Sequence, residues 1–354
     1  MTPAESTTHA APSRRPHSYG PTTPHHESRF RRLGLPHRHG GRRALRTVLL
    51  SATAVVVLAA CQTGPEGSGA SDRVPDPAAT RTPTGAPQMA LVPAGAYLLG
   101  AADGPADERP VHTVRLDAFR LDRYPVTNAD LARWANGKKE QLRNATGGQE
   151  LPADPRMPRE PDAVRDKDDR DLFVPADADG NSHLLRANGR FDVEKSYADH
   201  PATEVTWWGA YSYCRDRGAR LPTEAEWEAA ARGPEGRTYA WGEQEPNAER
   251  ARYGAATGGT APVNAHPEGA TPLGIHDLAG NTYEWTSTLY RPYPYDGSDG
   301  REEVTYSAEE RVTRGGAHDD EADALRGTYR SGYSREPQGG HHHIGFRCAA
   351  DPRP

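Results

Sequence analysis

The sequence is poor in several residue types that large helical cores use. Its 354 residues include only 3 Met, 5 Phe and 3 Cys, and 35% of the chain is hydrophobic, whereas 36 Gly and 32 Pro make up nearly a fifth of it. This composition is not that of a helical bundle, a coiled coil or a protein with many membrane spans. A chain of this length can still bury a sizeable core, so the sequence predicts a loop-rich globular domain.

Basic residues are scarce over most of the chain. Residues 1–61 hold nine Arg and two Glu, which leaves 34 basic and 47 acidic side chains, a formal charge of −13, for residues 62–354. A domain this acidic offers no basic patch to a phosphate backbone. We therefore expect no nucleic-acid partner, and the expected state is a monomer.

The longest apolar run covers residues 48–60 and is shorter than the ~20 residues of a membrane-spanning helix. Arginines precede it, and it ends in Leu58-Ala59-Ala60-Cys61, which resembles a bacterial lipobox. The sequence predicts a disordered basic leader and lipoprotein signal peptide over residues 1–61, with lipid on Cys61. The lipid would anchor the protein to the outer face of the bacterial cytoplasmic membrane. A buried Cys61 after a core helix is the alternative.

The segments on either side of the apolar run also favour export. Arg42-Arg43 resembles a twin-arginine export signal, although paired arginines occur in ordinary signal sequences too. Residues 62–87 are rich in Gly, Ser, Thr, Pro and Ala, which is typical of a flexible tether. Cys214 and Cys348 are then the remaining pair, and an even pair in an exported protein predicts a disulfide. Two buried free thiols are the alternative.

Residues 88–351 show the patterns of a folded domain with short elements. Alternating apolar residues predict a strand with a turn over residues 89–100 and a second strand over residues 111–119. Three helices are predicted: one begins at residue 127, one covers residues 205–217, and one follows residue 223. Thr223 and Glu226 form a capping box, in which each side chain satisfies a backbone amide of the first turn. Residues 138–200 are polar and rich in Pro, so long loops or an insertion are expected there.

Five motifs in this domain occur in one order. They are Pro-Val-Thr-Asn (125–128), Arg-Leu-Pro-Thr-Glu-Ala-Glu-Trp-Glu (220–228), Gly-Asn-Thr-Tyr-Glu-Trp-Thr (280–286), Arg-Gly-Gly (314–316) and Gly-Phe-Arg-Cys-Ala-Ala-Asp (345–351). The set resembles the formylglycine-generating enzyme (sulfatase-modifying factor) domain family. The resemblance implies a single α+β domain related to C-type lectins, with little regular secondary structure. It also places Cys214 and Cys348 at the positions of a structural disulfide in that family.

The family's oxidase reaction is not expected here. The resemblance implies copper held by two cysteines shortly after the Gly-Gly motif, because soft thiolates suit Cu(I). Those positions fall at Asp320 and Leu325 in this chain, and no Cys lies between residues 215 and 347. The catalytic cysteines are therefore missing, and the resemblance leaves open whether the chain is an enzyme.

Two other metal sites come from the sequence. The resemblance implies a calcium site at Asp277, Gly280, Thr282 and Glu284, where two carboxylates and two backbone carbonyls offer the hard oxygen ligands that Ca²⁺ prefers; a carboxylate-capped turn without an ion is the alternative. The run His341-His342-His343 could hold a transition metal together with His318 and Asp320, and in a strand His341 and His343 would share one face. A solvated loop is the preferred interpretation of that run, so a redox metal is not expected.

Three functions remain compatible with these residues. The leading one is an exported, lipid-anchored binding or accessory module that presents the family's cleft to a peptide or protein, with residues 138–200 and 290–343 lining it. The second is a metal-dependent oxidase, using iron or copper, that relies on His318 and the 341–343 run. The third is formylglycine formation by a route without the copper cysteines.

Overall fold

A computed structural model of the chain describes residues 88–138, 140–144, 163–175, 182–255, 259–305, 307–330 and 335–352. The predicted leader and signal peptide, the lipidation residue Cys61 and the tether of residues 62–87 lie outside the described residues. Within the described ranges, no helix has both the length and the apolar character that a membrane span requires.

Three α-helices form where the sequence predicts them. They are α1 (Asn128–Gly137), α2 (Trp207–Asp216) and α3 (Glu224–Arg232). Each begins after a threonine whose hydroxyl accepts a hydrogen bond from a backbone amide of the first turn: Thr127, Thr206 and Thr223. Helix α3 ends at Gly233, whose φ of 64° suits glycine.

The strands are short. They are β1 (Met89–Val92), β2 (Gly95–Leu99), β3 (His112–Leu116), β4 (Phe119–Asp122), β5 (Arg143–Asn144), β6 (Val164–Arg165), β7 (Asp171–Phe173), β8 (Leu184–Ala187), β9 (Arg190–Val193), β10 (Tyr283–Leu289), β11 (Arg311–Arg314), β12 (Ile344–Gly345) and β13 (Ala349–Ala350). One sheet has the order β1-β4-β13, and another has β10 between antiparallel β11 and parallel β12. The remaining strands of the described ranges form hairpins and one small sheet. The expected single α+β, loop-rich domain is confirmed.

The structure differs from the strand predictions in two places. The predicted strand over residues 111–119 is two strands, because β3 pairs with β2 whereas β4 pairs with β1 and β13. The described parts of residues 138–200 are not only loops: they contain β5 to β9. These strands form because their few apolar side chains, such as Phe173 and Phe191, are buried against each other with ring centroids 5.3 Å apart.

Two hydrophobic clusters make up the core. One surrounds α2 and includes Trp207, Trp285 and Phe346, and the other surrounds α3 and includes Trp227 and Leu325. The predicted disulfide is present and belongs to the first cluster. It joins Cys214 of α2 to Cys348 beside β13, with a Cα–Cα distance of 5.5 Å, and both cysteines are fully buried.

Candidate functional site

The candidate site lies at the end of β11, where the chain leaves the sheet through Gly315 and Gly316. Both glycines have left-handed backbone angles, with φ of 110° and 74°. A Cβ atom on Gly316 would lie 2.8 Å from the carbonyl oxygen of Ala324, so a larger residue does not fit. The carbonyl of Gly315 accepts a hydrogen bond from the amide of Gly280 (2.7 Å). The turn thereby places residues 317–325 beside the loop that precedes β10.

The two positions that correspond to copper cysteines in the resemblance are filled by side chains with structural contacts. Asp320 accepts a hydrogen bond on Oδ2 from the backbone amide of Ala317 (2.8 Å), which closes the turn. Leu325 is 1% exposed and packs in the hydrophobic cluster with Trp227 and Leu278. A carboxylate and an isobutyl group do not provide the thiolate ligands that Cu(I) favours.

Three side chains with metal-ligating atoms lie close together beside this turn, and one of them belongs to Asp319, the residue before Asp320. One nitrogen of His318, one carboxylate oxygen of Asp319 and one nitrogen of His343 all lie within 4.8 Å of one another. Asp319 Oδ2 is 3.0 Å from His343 Nε2, and Asp319 Oδ1 is 3.9 Å from His318 Nδ1. Burial lowers the pKa of His318, outweighing the opposite effect of Asp319, so this imidazole is neutral near pH 7.

Backbone hydrogen bonds hold both histidines of this cluster. The amide of His318 donates to the carbonyl of Asn281 (3.1 Å), and its own carbonyl accepts from the amide of Ala255 (2.9 Å). The carbonyl of His343 accepts from the amide of Tyr283 (2.8 Å), at the start of the parallel pairing of β10 with β12. The backbone that carries each of the two imidazoles is therefore held by segments that lie far apart in the sequence.

The histidine run differs from the arrangement considered from the sequence. Residues 341–343 form a turn that leads into β12 rather than a strand, so the alternation of a strand does not apply to them. His343 meets His318, with ring centroids 5.2 Å apart, and Asp319 takes the place expected for Asp320. His341 is not part of this group of three.

At the predicted calcium site, Asp277 and the loop after it offer buried oxygens. Asp277 Oδ2 and Thr282 Oγ1 are buried and have no hydrogen-bond partner among the described residues. Burial raises the pKa of Asp277 to about 8, with Glu284 adding to the shift and Arg347 opposing it. The carbonyl of Gly280 accepts from the amide of Thr282 (2.9 Å). An orphaned buried carboxylate oxygen of this kind fits a cation.

The negative charge of Glu284, by contrast, is already balanced by an arginine. Arg347 donates to it from Nη2 (2.6 Å) and Nε (2.7 Å), and Trp227 donates from Nε1 (2.9 Å). Arg347 also donates to the backbone carbonyl of Asp277 (3.2 Å). The four residues therefore fit Ca²⁺ in part, through Asp277 and the backbone, and the calcium site stays a prediction.

A buried network of charges, which the sequence analysis did not identify, underlies the site. Glu224 and Glu228 project from α3 and are 0% exposed. Glu224 accepts hydrogen bonds from Arg330 (2.6 Å) and Arg314 (3.2 Å), and Glu228 accepts from Arg314 (2.7 Å) and Arg232 (2.9 Å). Burial alone would raise the pKa of Glu228, but Arg314 and Arg232 together hold it below its ordinary value. The network fixes β11, and hence the turn that follows it, to α3.

Comparison with known proteins agrees with this fold. Residues 75–352 match the model of the sulfatase-modifying factor enzyme 1-like domain. The formylglycine-generating enzyme of Mycobacterium tuberculosis is 32% identical over 75% of this chain and 98% of its own. The inactive C-alpha-formylglycine-generating enzyme 2 of Mus musculus is 32% identical over 75% of this chain and 86% of its own.

Other matches concern the fold or only part of a protein. The structure of PvdO from Pseudomonas aeruginosa is 23% identical, with a TM-score of 0.53 over 75% of this chain and 95% of that one. The chain also matches the serine/threonine-protein kinase Pkn1 of Chlamydia trachomatis, at 32% identity over 75% of this chain, but it spans only 38% of that kinase.

Proposed function

The chain belongs to the sulfatase-modifying factor family, and we propose that it acts within that family as an exported, lipid-anchored binding or accessory module without copper oxidase activity. One observation carries this proposal: the copper-cysteine positions hold Asp320, which closes a turn, and Leu325, which lies in the core. Restoring a thiolate pair would require changing both a core contact and a turn contact. A mouse relative is named an inactive C-alpha-formylglycine-generating enzyme, which supports the proposal that a member of this family can lack formylglycine-generating activity.

The proposed ligand is a peptide or protein segment. We place this ligand in the family cleft, between residues 138–200 and residues 290–343. The described parts of these two ranges include strands β6 to β9 and the turn at Asp320. The formal charge of −13 over residues 62–354 disfavours nucleic acid and anionic lipid head groups as ligands.

The absence of oxidase activity is tested with a peptide substrate. A Cys-x-Pro-x-Arg peptide is incubated with the full-length chain, copper and oxygen, and aldehyde is measured by mass spectrometry after hydrazide capture. We expect no aldehyde above the protein-free control, with the mycobacterial formylglycine-generating enzyme as positive control. Aldehyde formation would contradict the proposal and would favour formylglycine formation by a route without copper cysteines.

For the location, we propose a monomer tethered by residues 62–87 to lipid on Cys61, at the outer face of the bacterial cytoplasmic membrane, with Arg42-Arg43 directing twin-arginine export. Expressed in a bacterial host, the wild-type chain is expected in the membrane fraction. The Cys61→Ser variant is expected to leave that fraction because it offers no thiol for the lipid. Equal membrane association of both proteins, measured by fractionation and immunoblotting, would refute the anchor.

Calcium is proposed as a structural ion that binds Asp277 together with the carbonyls of Gly280 and Thr282, while Glu284, the fourth residue of the predicted site, stays paired with Arg347. Adding Ca²⁺ is then expected to raise the thermal unfolding temperature of the wild type but not of Asp277→Asn. An equal response of the two proteins to Ca²⁺, measured by differential scanning fluorimetry, would reject the site.

A second candidate function is a metal-dependent oxidase, and the meeting of His318, Asp319 and His343 favours it. If the protein is such an oxidase, it must consume oxygen only when a redox metal is bound. Metal binding without oxygen consumption or ligand turnover would leave the binding module as the function.

A further inference from the structure

We propose that His318, Asp319 and His343 form a binding site for one divalent transition-metal ion of the Zn²⁺ or Fe²⁺ class. This proposal goes beyond the module proposed above and does not depend on it, because a metal could serve either binding or chemistry. Two imidazoles and one carboxylate are the ligand set that suits such ions, whereas Ca²⁺ and Mg²⁺ prefer oxygen ligands alone.

The distances are those of a site that needs only small side-chain adjustments. Ligand atoms about 2.0–2.2 Å from a tetrahedral metal are separated from one another by roughly 3.4 Å. The two distances from the Asp319 carboxylate bracket that value: Oδ2 is 3.0 Å from His343 Nε2, and Oδ1 is 3.9 Å from His318 Nδ1. No pair among the three ligand atoms is more than 4.8 Å apart, and rotation of the exposed Asp319 side chain can adjust its distances to the two histidines.

The histidines are held in place before any ion binds. His318 and His343 are 8% and 6% exposed, and backbone hydrogen bonds to Asn281, Ala255 and Tyr283 fix their positions. His318 Nδ1 is buried and has no hydrogen-bond partner among the described residues. A buried nitrogen that faces a carboxylate at 3.9 Å without a hydrogen bond is satisfied by a metal ion placed between them.

The third ligand and the remaining coordination positions face solvent. The side chain of Asp319 is 43% exposed, so an ion held there can exchange with bulk solvent and keep positions open for water or for a carboxylate or thiolate of a ligand. An open concavity lined by Arg252, Tyr253 and Gly254 adjoins the site, since the amide of Gly254 donates to the carbonyl of Asp320 (2.8 Å).

Some nearby charges oppose the binding of a cation at this site, and others favour it. Arg252 is close enough to lower the pKa of His318, and its positive charge opposes a cation. The surrounding domain is strongly acidic, and the guanidinium of Arg252 is directed to the carbonyl of Gly259 by a hydrogen bond from Nε (3.0 Å). We therefore expect binding that is selective for ions with an affinity for imidazole rather than binding of any divalent cation.

The test is a Co²⁺ titration of the full-length chain carrying Cys61→Ser, followed by its visible d–d absorbance and by competition with Zn²⁺. We expect one equivalent of Co²⁺ to produce an absorbance that Zn²⁺ removes. Asp319→Asn is expected to weaken Co²⁺ binding by at least about tenfold. Because Asp319 is exposed, this variant should keep its fold, which circular dichroism checks; His318→Gln is expected to act in the same direction.

His341→Ala is the matched control, since it removes a histidine of the same turn that lies outside the group of three. Six of the 15 histidines lie in residues 1–61, so any background Co²⁺ binding by the leader is the same in all variants. The site is therefore judged from the differences in Co²⁺ binding between the variants. No d–d absorbance, or the same absorbance in Asp319→Asn as in the wild type, would overturn the site. A loss in His341→Ala as large as that in Asp319→Asn would overturn it as well.

Discussion

Replacing Glu228 with glutamine is expected to lower the free energy of unfolding by about 3–5 kcal/mol. The substitution keeps the size of the side chain, so it creates no cavity. It removes a fully buried negative charge that accepts hydrogen bonds from Arg314 (2.7 Å), Arg232 (2.9 Å), Tyr293 (2.9 Å) and the amide of Gly100 (2.7 Å). Two buried guanidinium groups would then face a neutral amide, part of which is itself a donor.

The same carboxylate gives the protein a dependence on pH. The folded-state pKa of Glu228 lies below its ordinary value of 4.5, so the contribution is complete above that value and is lost as the pH falls through the lower, folded-state pKa. Glu228→Gln is expected to lack this part of the acid sensitivity. Urea denaturation at neutral and acidic pH measures both effects.

Glu309→Gln is the control for a surface ion pair. Its side chain is 51% exposed and pairs with Arg291 at 2.7 Å, and an exposed pair of this kind contributes about 1 kcal/mol or less. If the two variants lost equal stability, the buried network would not be what holds α3 to β11.

Removing the disulfide is expected to cost about 4–5 kcal/mol in the chain-entropy model. Cys214 and Cys348 are 134 residues apart in the sequence, so the bond restricts a large loop of the unfolded chain. The double variant Cys214→Ala/Cys348→Ala should unfold at a lower denaturant concentration than the wild type. Both cysteines lie in the α2 cluster, so this variant also loses core contacts.

A reducing agent separates the two contributions. Wild-type protein treated with dithiothreitol during denaturation loses the bond but keeps both cysteine side chains in the core. Its stability should therefore fall between that of the untreated wild type and that of the double variant, whereas Cys61→Ser, which leaves the pair intact, should match the untreated wild type. An unfolding midpoint of the wild type that does not respond to dithiothreitol would show that the bond contributes nothing.

Local signals in the sequence were sufficient to predict the helices. Thr127 and Thr223 are the N-cap residues of capping boxes, and the apolar spacing after Val205 is helical, so the three helices follow from interactions within a few residues. The disulfide and the family also followed from the sequence, through the cysteine pair and the ordered motifs. These features depend on short spacing or on ordered motifs rather than on the packing of distant segments.

The side-chain groups that define the site depend on contacts across long sequence distances. Arg314 and Glu228 are 86 residues apart, and Asp319 and His343 are 24 residues apart. Choosing Asp319 rather than Asp320 requires the path of the turn after Gly316, in which neighbouring side chains point in different directions. The short strands within residues 138–200 were missed because their few apolar residues lie between polar and Pro-rich segments.

A Cu(I) competition titration shows whether this family member has a thiolate site for copper. The chain carrying Cys61→Ser is titrated, with ascorbate as reductant so that the disulfide remains, against a chelator that outcompetes imidazole but not a pair of thiolates. Because Asp320 and Leu325 offer no thiolate, we expect all Cu(I) to stay with the chelator. Transfer of one equivalent of Cu(I) to the protein would contradict this expectation.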